Sequence, residues 1–520
     1  MSSQPTPHES SKHVFSSEDS GLQKGMGRRQ LQMIAMGSAI GTGLLLGTGG
    51  RLEVAGPFLA VLYLICGFFG YLILRALGEL ICYRPSSGSF VSYAREFYGE
   101  KQAFVTGWLY WGNWAMTLVA DGTAVALYIK WFGQYFGWIN SIPQWLLTLG
   151  VVGFTLLFNM VSVKIFGELE FWFSLIKIVG LSVFMLIAIG VVIFGHPAGS
   201  PTGFSLIGDA GGWLPNGLLP AIVVVQGVVF AYAGIELVGT TSGETKDVEK
   251  HVPKAVNSVL FRIFFFYFGS VLLLTLVLPY TEYVEEVSPF VTFFESLGIG
   301  AAAPIFQLVL ITAALSSLNA GLYSTGRIMY NMSQAGSAPK FGMRMSKSGV
   351  PYGGIVMAAL VALAGVFLNF IVPEKAFEVV LNLAALGTMA SWAAIVLAHM
   401  KFVSLAKEGR YTRPHYRTPF GTAGDWATLA FLGVVLVLMA FDYPIGTWSL
   451  VASVALIPIF AAMWFAWRGR IARIAEERRT KHLSTSSFPV AATGSLRLRP
   501  SRERPTRELI AQKLPRRRRK

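Results

Sequence analysis

The sequence predicts an all-α integral membrane protein of twelve transmembrane helices, and three observations carry that prediction. Charged residues make up 14% of the 520 and apolar residues 53%, where soluble chains carry about 25% charged. The mean hydropathy is +0.54, which leaves too little polar material to solvate a folded surface. The apolar residues also fall in runs of spanning length, about 20 residues each. These runs lie near 30–50, 57–82, 103–130, 144–163, 170–194, 217–241, 258–279, 303–330, 353–372, 377–400, 426–442 and 447–467.

The charge distribution sorts the loops by side. Residues 468–520 hold 17 Lys/Arg and 4 Asp/Glu, so most of the net +15 is a short tail. Twelve spans put both termini on one side. If that side is the cytoplasm, 38 Lys/Arg lie inside and only Arg51, Lys130 and Lys375 outside. That asymmetry is the positive-inside pattern, and it places both termini of a multi-pass cell-membrane protein in the cytoplasm. It also argues against a nucleic-acid partner, because most of the surplus is that tail and the rest is spread by side rather than gathered in a patch. The Arg516–Lys520 block has no interleaved aromatics and suits either a solvated topology anchor or contact with anionic lipid.

The domain division follows: a polar N-terminus at 1–29 expected to be disordered, a twelve-helix body at 30–467, and a largely disordered basic tail at 468–520. No cleavable signal is visible in the first thirty residues. Cys66 and Cys82 are sixteen residues apart in one span, about 24 Å of helical rise and beyond disulfide reach. No His pairs with a carboxylate at metal-ligand spacing, so neither a metal nor another cofactor is expected.

Span one contains Gly37-Ser38-Ala39-Ile40-Gly41-Thr42-Gly43. Three glycines in seven residues weaken a helix by roughly 1 kcal/mol each relative to Ala. Close helix packing through Gly37/Gly41 and Gly43/Gly47 is one reading; a break in the helix is the other. Span six contains Phe230-Ala231-Tyr232-Ala233-Gly234-Ile235-Glu236, which sets a carboxylate beside a glycine in apolar surroundings. Spans 1–5 (about 30–194) and 6–10 (about 217–400) then form two five-helix halves of opposite orientation, with spans 11 and 12 (about 426–467) appended. Interrupted segments at matching positions of two inverted halves mark a transporter's binding site. Freed backbone N–H groups suit a carboxylate and freed C=O groups an ammonium, which together describe a zwitterionic amino acid.

Several strings carry a family resemblance: Ala55-Gly56-Pro57, Arg75-Ala76-Leu77-Gly78-Glu79-Leu80, Pro85 to Gly99, Phe171-Trp172-Phe173, Gly227 to Gly239, Leu315-Ser316-Ser317-Leu318-Asn319, and Met439-Ala440-Phe441-Asp442-Tyr443-Pro444. Over about residues 21–467 the chain resembles the amino-acid permeases of the amino acid–polyamine–organocation superfamily, and within them the bacterial L-asparagine permeases. The resemblance implies a LeuT-like five-plus-five inverted repeat with helices 1 and 6 broken, and proton-coupled uptake of a neutral amino acid. Asparagine is the expected substrate, with glycine, D-alanine and D-serine as alternatives. It implies that Ser38, Ala39, Ile40, Gly41, Thr42 and Gly43 receive the substrate carboxylate. Phe230, Ala231, Tyr232, Ala233 and Gly234 would then offer carbonyls to its amino group, with Phe230 part of a gate. Relatives often carry Phe where this chain has Tyr232, which leaves a side-chain role there open.

The few charges inside spans are the remaining candidates. Lys177 lies about 14 Å into span five, too deep to snorkel easily, and a buried lysine can exchange a proton. The resemblance points the same way, because proton-coupled relatives place a lysine where sodium-coupled cousins hold Na⁺. Asp121 in span three either recognises a polar substrate group, partners Lys177 or holds helices together. Glu236 either steadies the span-six break or joins the proton path. Arg75 and Glu79 are i, i+4 on span two and are expected to pair, with a cytoplasmic gate as the alternative role. Ser316, Ser317 and Asn319 in span eight are helix glue or, by the resemblance, the equivalent of an ion site. A membrane-embedded enzyme finds no support, since His399 is the sole span histidine, and a sensor rests on the tail alone.

Overall fold

The computed structural model describes residues 40–160, 163–242, 248–347, 349–371 and 376–486. The N-terminus expected to be disordered, the site residues Ser38 and Ala39, and the tail beyond 486 lie outside the described residues.

Helices are the regular elements of the described residues; the second to twelfth expected spans overlap helix, and of the first only residues 40–50 are described. Segment one is two short helices, α1 (Thr42–Leu45) and α2 (Thr48–Ala55). Then come α3 (Phe58–Tyr83), α4 (Ser89–Tyr98), α5 (Glu100–Trp131), α6 (Gln144–Asn159), α7 (Val163–Phe194) and α8 (Phe204–Asp209). Segment six is divided into α9 (Leu218–Val223), α10 (Val225–Ala231) and α11 (Leu237–Ser242). Next, α12 (Val248–Arg262) runs through a π-helical stretch, Ile263–Gly269, into α13 (Ser270–Val277). The remainder are α14 (Pro289–Ser296), α15 (Ala302–Gln334), α16 (Tyr352–Ile371), α17 (Ala376–Lys407), α18 (Gly421–Met439) and α19 (Ile445–Ser486). Among the described residues, eight helices are long and apolar enough to cross a membrane. Segments one, four and six fall short because they are short or interrupted, and α5, 32 residues long, because it is less apolar than the eight.

Packing is inverted relative to a soluble protein. Leu157, Leu186, Phe194, Phe367 and Val454 stand exposed on the outside, whereas Thr, Ser, Asn and acidic side chains are buried within. A long apolar outer surface is what a lipid-facing bundle presents. Interior hydroxyls return to their own helix: Thr117 donates to the Asn113 carbonyl at 3.0 Å and Thr123 to Val119 at 2.8 Å. The central helix is α5, packed most extensively against α17 and α15. Small residues let these helices approach. A Cβ added at Gly387 of α17 would lie 2.6 Å from Asn113 Cβ, and one at Gly365 of α16 2.1 Å from Val119.

The last helix overruns its expected end at 467. It continues to Ser486 through what reads in sequence as disordered tail. The cause is local packing at the end of the bundle where the basic loops gather, called the basic end below. Ile471 is buried, Arg470 donates to the Ala338 carbonyl at 3.0 Å, and Arg478 pairs with Glu100 at 3.3 Å. The run is also rich in good helix formers.

Candidate functional site

The two interrupted segments meet at the centre of the bundle. Gly41 is extended (φ −127°, ψ −167°) and caps the single turn α1. In segment six α10 stops at Ala231, and Tyr232 to Glu236 form a chain of tight turns. Ala233 N–H donates to the Phe230 carbonyl at 2.8 Å and Leu237 N–H to Gly234 at 3.1 Å. Gly234 has φ +94°, a conformation that only glycine adopts at no steric cost. A Cβ on Gly43 would sit 2.7 Å from Ala231 Cα and 2.9 Å from the Phe230 ring. Glycine at 43 is therefore required for the two breaks to touch.

Side chains hold these breaks in place. Glu236 turns back on the segment it follows, accepting from Gly234 N–H at 3.2 Å through Oε2; Oε1 faces the Trp392 indole without reaching hydrogen-bond geometry. Tyr232 points away from segment one: its hydroxyl donates to the Tyr63 carbonyl on α3 at 2.7 Å. Its ring stacks on Tyr267 of the π-helical stretch at 4.4 Å. Tyr63 in turn bonds Thr48 at 2.7 Å and reaches the Gly43 carbonyl at 3.5 Å. The side-chain role of Tyr232, open in the sequence, is thus to fasten the segment-six break to α3.

Two buried polar clusters flank the meeting point. On one side Asp121 of α5 accepts from Thr42 Oγ1 at 2.7 Å, with Ser317 of α15 as its neighbour. A Cβ on Gly41 would be 3.5 Å from the same Ser317 hydroxyl. In the second cluster Lys177, 1% exposed, donates to Ser316 Oγ at 2.9 Å. Ser316 donates to Glu170 at 2.7 Å, and Asn319 reaches the other Glu170 oxygen at 3.4 Å. Adjacent residues Ser316 and Ser317 therefore face different partners. Lys177 senses both Glu170 and Asp121, and its hydrogen-bonded route leads to Glu170.

The Arg75–Glu79 pair expected from i, i+4 spacing does not form. Glu79 is fully buried and takes Arg413 Nε at 2.7 Å and Nη2 at 3.0 Å, Thr418 N–H at 2.7 Å and His399 Nε2 at 3.1 Å. His399 Nδ1 meets Asp425 at 2.9 Å. Arg75 lies over the Tyr416 ring at 4.1 Å, donates to Asn257 at 2.8 Å and also donates to the Arg417 carbonyl. The reason is burial: the chain between α17 and α18 folds back over α3 and brings Arg413 and Thr418 to the carboxylate. That leaves Arg75 at the rim. Helical spacing places Arg75 and Glu79 near each other but cannot weigh partners more than 300 residues away. At the opposite end of the bundle, buried Arg51 pairs with Glu378 at 3.4 Å and also donates to the Gly47 carbonyl. Gln226 of α10 donates to Asp442 at 2.8 Å beside it.

Sequence reasoning missed Glu170, Asn159, Arg413, Asp425 and the buried role of His399. Glu170 carried a signal: it is seven residues from Lys177, two turns along one helix face.

Residues 30–477 match the amino acid permease family. An L-asparagine permease of Salmonella typhimurium is 53% identical over 469 residues, 90% of this chain and 93% of that protein. L-asparagine permease 1 of Mycobacterium tuberculosis is 51% identical over 483 residues, 93% of this chain and 97% of the relative. The L-asparagine permease of Escherichia coli K12 is 51% identical over 468 residues, covering 90% and 93%. Among solved structures, a manganese transporter from Eremococcus coleocola superposes with a TM-score of 0.52 at 14% identity, covering 86% of this chain and 95% of its own. That likeness bears on the fold alone.

Proposed function

This chain belongs to the amino acid permease family, and we propose that it carries L-asparagine into the cell in symport with a proton. It is a multi-pass membrane permease rather than an enzyme. The observation that carries the finer reading is the contact of the two interrupted segments at Gly43 and Ala231, with the Thr42–Asp121 and Lys177–Ser316 hydrogen bonds buried in the bundle. Residues 38–43 receive the substrate carboxylate on backbone N–H groups, which a helix start leaves without internal acceptors. Residues 230–234 offer carbonyls to the ammonium, with Phe230 as part of the gate. Lys177 is the coupling group. Asp121, held by Thr42, stands where a polar substrate group or the proton would meet it.

In this reading the body at 30–467 is a five-plus-five inverted repeat with two further helices, and substrate access alternates between the two ends. The 38-to-3 distribution of Lys/Arg supports a cytoplasmic basic end with both termini inside. The Arg51–Glu378 pair then closes the outer end, and the Glu79 cluster ties down the inner one.

Substrate identity rests on the relatives' names, and counterflow tests it. Proteoliposomes containing the full chain and loaded with unlabelled amino acid should exchange labelled L-asparagine faster than glycine, D-alanine or D-serine. Exchange of one of those with none of asparagine would overturn the substrate while leaving the class standing.

A further inference from the structure

Glu170 is the one buried carboxylate on the helix that carries Lys177, and nothing so far gives it a task. It is 0% exposed. It lies two helical turns, about 10 Å of rise, from Lys177 toward the basic end. The two are joined by a single hydroxyl: Ser316 Oγ receives Lys177 Nζ at 2.9 Å and donates to Glu170 Oε1 at 2.7 Å. From Oε2 the path continues to Asn319 Nδ2 at 3.4 Å, whose Oδ1 accepts from Asn159 Nδ2 at 2.7 Å. Asn159 is the last residue of α6, so the hydrogen-bonded line runs from the bundle centre to the helix ends. The groups around the pair are Ser316, Ser317 and Asn319 from α15, Asn159 from α6 and Asp121 from α5. From α7 itself comes Ser174, one turn on from Glu170. Asp121 is tied to segment one through Thr42; Glu170 lies on the basic-end side of Lys177 along α7.

We propose that Glu170 is a second proton-carrying residue of the transport cycle, taking the proton from Lys177 through the Ser316 hydroxyl on its way toward the basic end. The step is balanced within the chain. The Lys177 ammonium gives one proton to Ser316 Oγ as the Ser316 hydroxyl proton passes to Glu170 Oε1. The amine and the carboxylic acid are then both neutral, and the serine is restored. Two buried charges are replaced by none, a change that a low-dielectric interior tolerates without a counter-ion. Loss of the proton from Glu170 at the basic end resets the carboxylate, whose Oε2 then accepts from Asn319 Nδ2. The inference rests on Lys177 being the coupling group.

The test compares Glu170→Gln, Ser316→Ala and Lys177→Met in proteoliposomes of the full chain. Two readouts are taken: counterflow of L-asparagine, and uphill uptake driven by a pH gradient across a range of external pH. Glu170→Gln is expected to keep counterflow and lose gradient-driven accumulation, its internal-to-external ratio falling from about tenfold per pH unit toward one. Its uptake should also become insensitive to external pH, and Glu170→Asp should restore part of that sensitivity. Ser316→Ala, which keeps both charges and removes the hydroxyl that links them, should slow gradient-driven uptake and shift its pH profile. If Lys177→Met loses accumulation while Glu170→Gln keeps both accumulation and the wild-type pH profile, the role of Glu170 is overturned and that of Lys177 stands. Accumulation retained by Lys177→Met sinks both. If Glu170→Gln does not reach the membrane, an unchanged pH profile in Ser316→Ala overturns the relay.

Discussion

Lys177→Met is expected to abolish asparagine accumulation against its gradient while leaving asparagine counterflow intact. Lys177 is fully enclosed, and its ammonium is held by Ser316 at 2.9 Å. Methionine preserves the length and apolar stem of the side chain and removes the exchangeable proton. A one-to-one symporter can concentrate its substrate about tenfold for each pH unit across the membrane, since one unit is 1.36 kcal/mol. The variant should equilibrate instead, its internal and external asparagine reaching the same concentration whatever the pH gradient. Counterflow needs only binding and alternation, and the residues proposed to bind, 38–43 and 230–234, are untouched. Uphill uptake at the wild-type ratio by Lys177→Met would remove the lysine from the mechanism.

Glu79→Ala should be the most destabilising single change at the basic end. The carboxylate is the common acceptor for Arg413, His399 and Thr418, so its removal takes the carboxylate from the Arg413 guanidinium and leaves His399 with Asp425 and the Thr418 hydroxyl. Breaking one partner out of a buried ion pair costs about 3–5 kcal/mol, which should appear as a marked drop in the thermal midpoint of the purified protein. Arg75→Ala discriminates the geometries. Were Arg75 the partner, both substitutions would cost alike. With Arg75 instead bonded to Asn257 and stacked on Tyr416 at the rim, its loss should be small beside that of Glu79. Equal losses for Arg75→Ala and Glu79→Ala would contradict the cluster.

The sequence carries the fold class because a membrane imposes a length and a polarity on every spanning segment, and both are visible in one dimension. It carries the interruptions at Gly41–Gly43 and Phe230–Gly234 for a similar reason, since glycine density and an intramembrane acid are local features. What it does not carry are partners set by tertiary contact. Glu79 finds Arg413 more than 300 residues on. Asp121 finds Thr42 from another helix, and Tyr232 finds a backbone carbonyl on α3. The end of the last helix was hidden because residues 468–486 read as a charged tail, and only Ile471, Arg470 and Arg478 packing against the bundle make them a helix. Glu170 was legible in part: its phase relative to Lys177 is a property of the helix, but the bridging serine belongs to α15.

The central claim is proton-driven entry of asparagine, and one measurement meets it directly. Wild-type proteoliposomes in sodium-free buffer are given an inward proton gradient, and labelled L-asparagine is followed with time. The account predicts accumulation above the external concentration that rises as external pH falls and collapses when a protonophore is added. Accumulation that demands Na⁺ and ignores the pH gradient would contradict it.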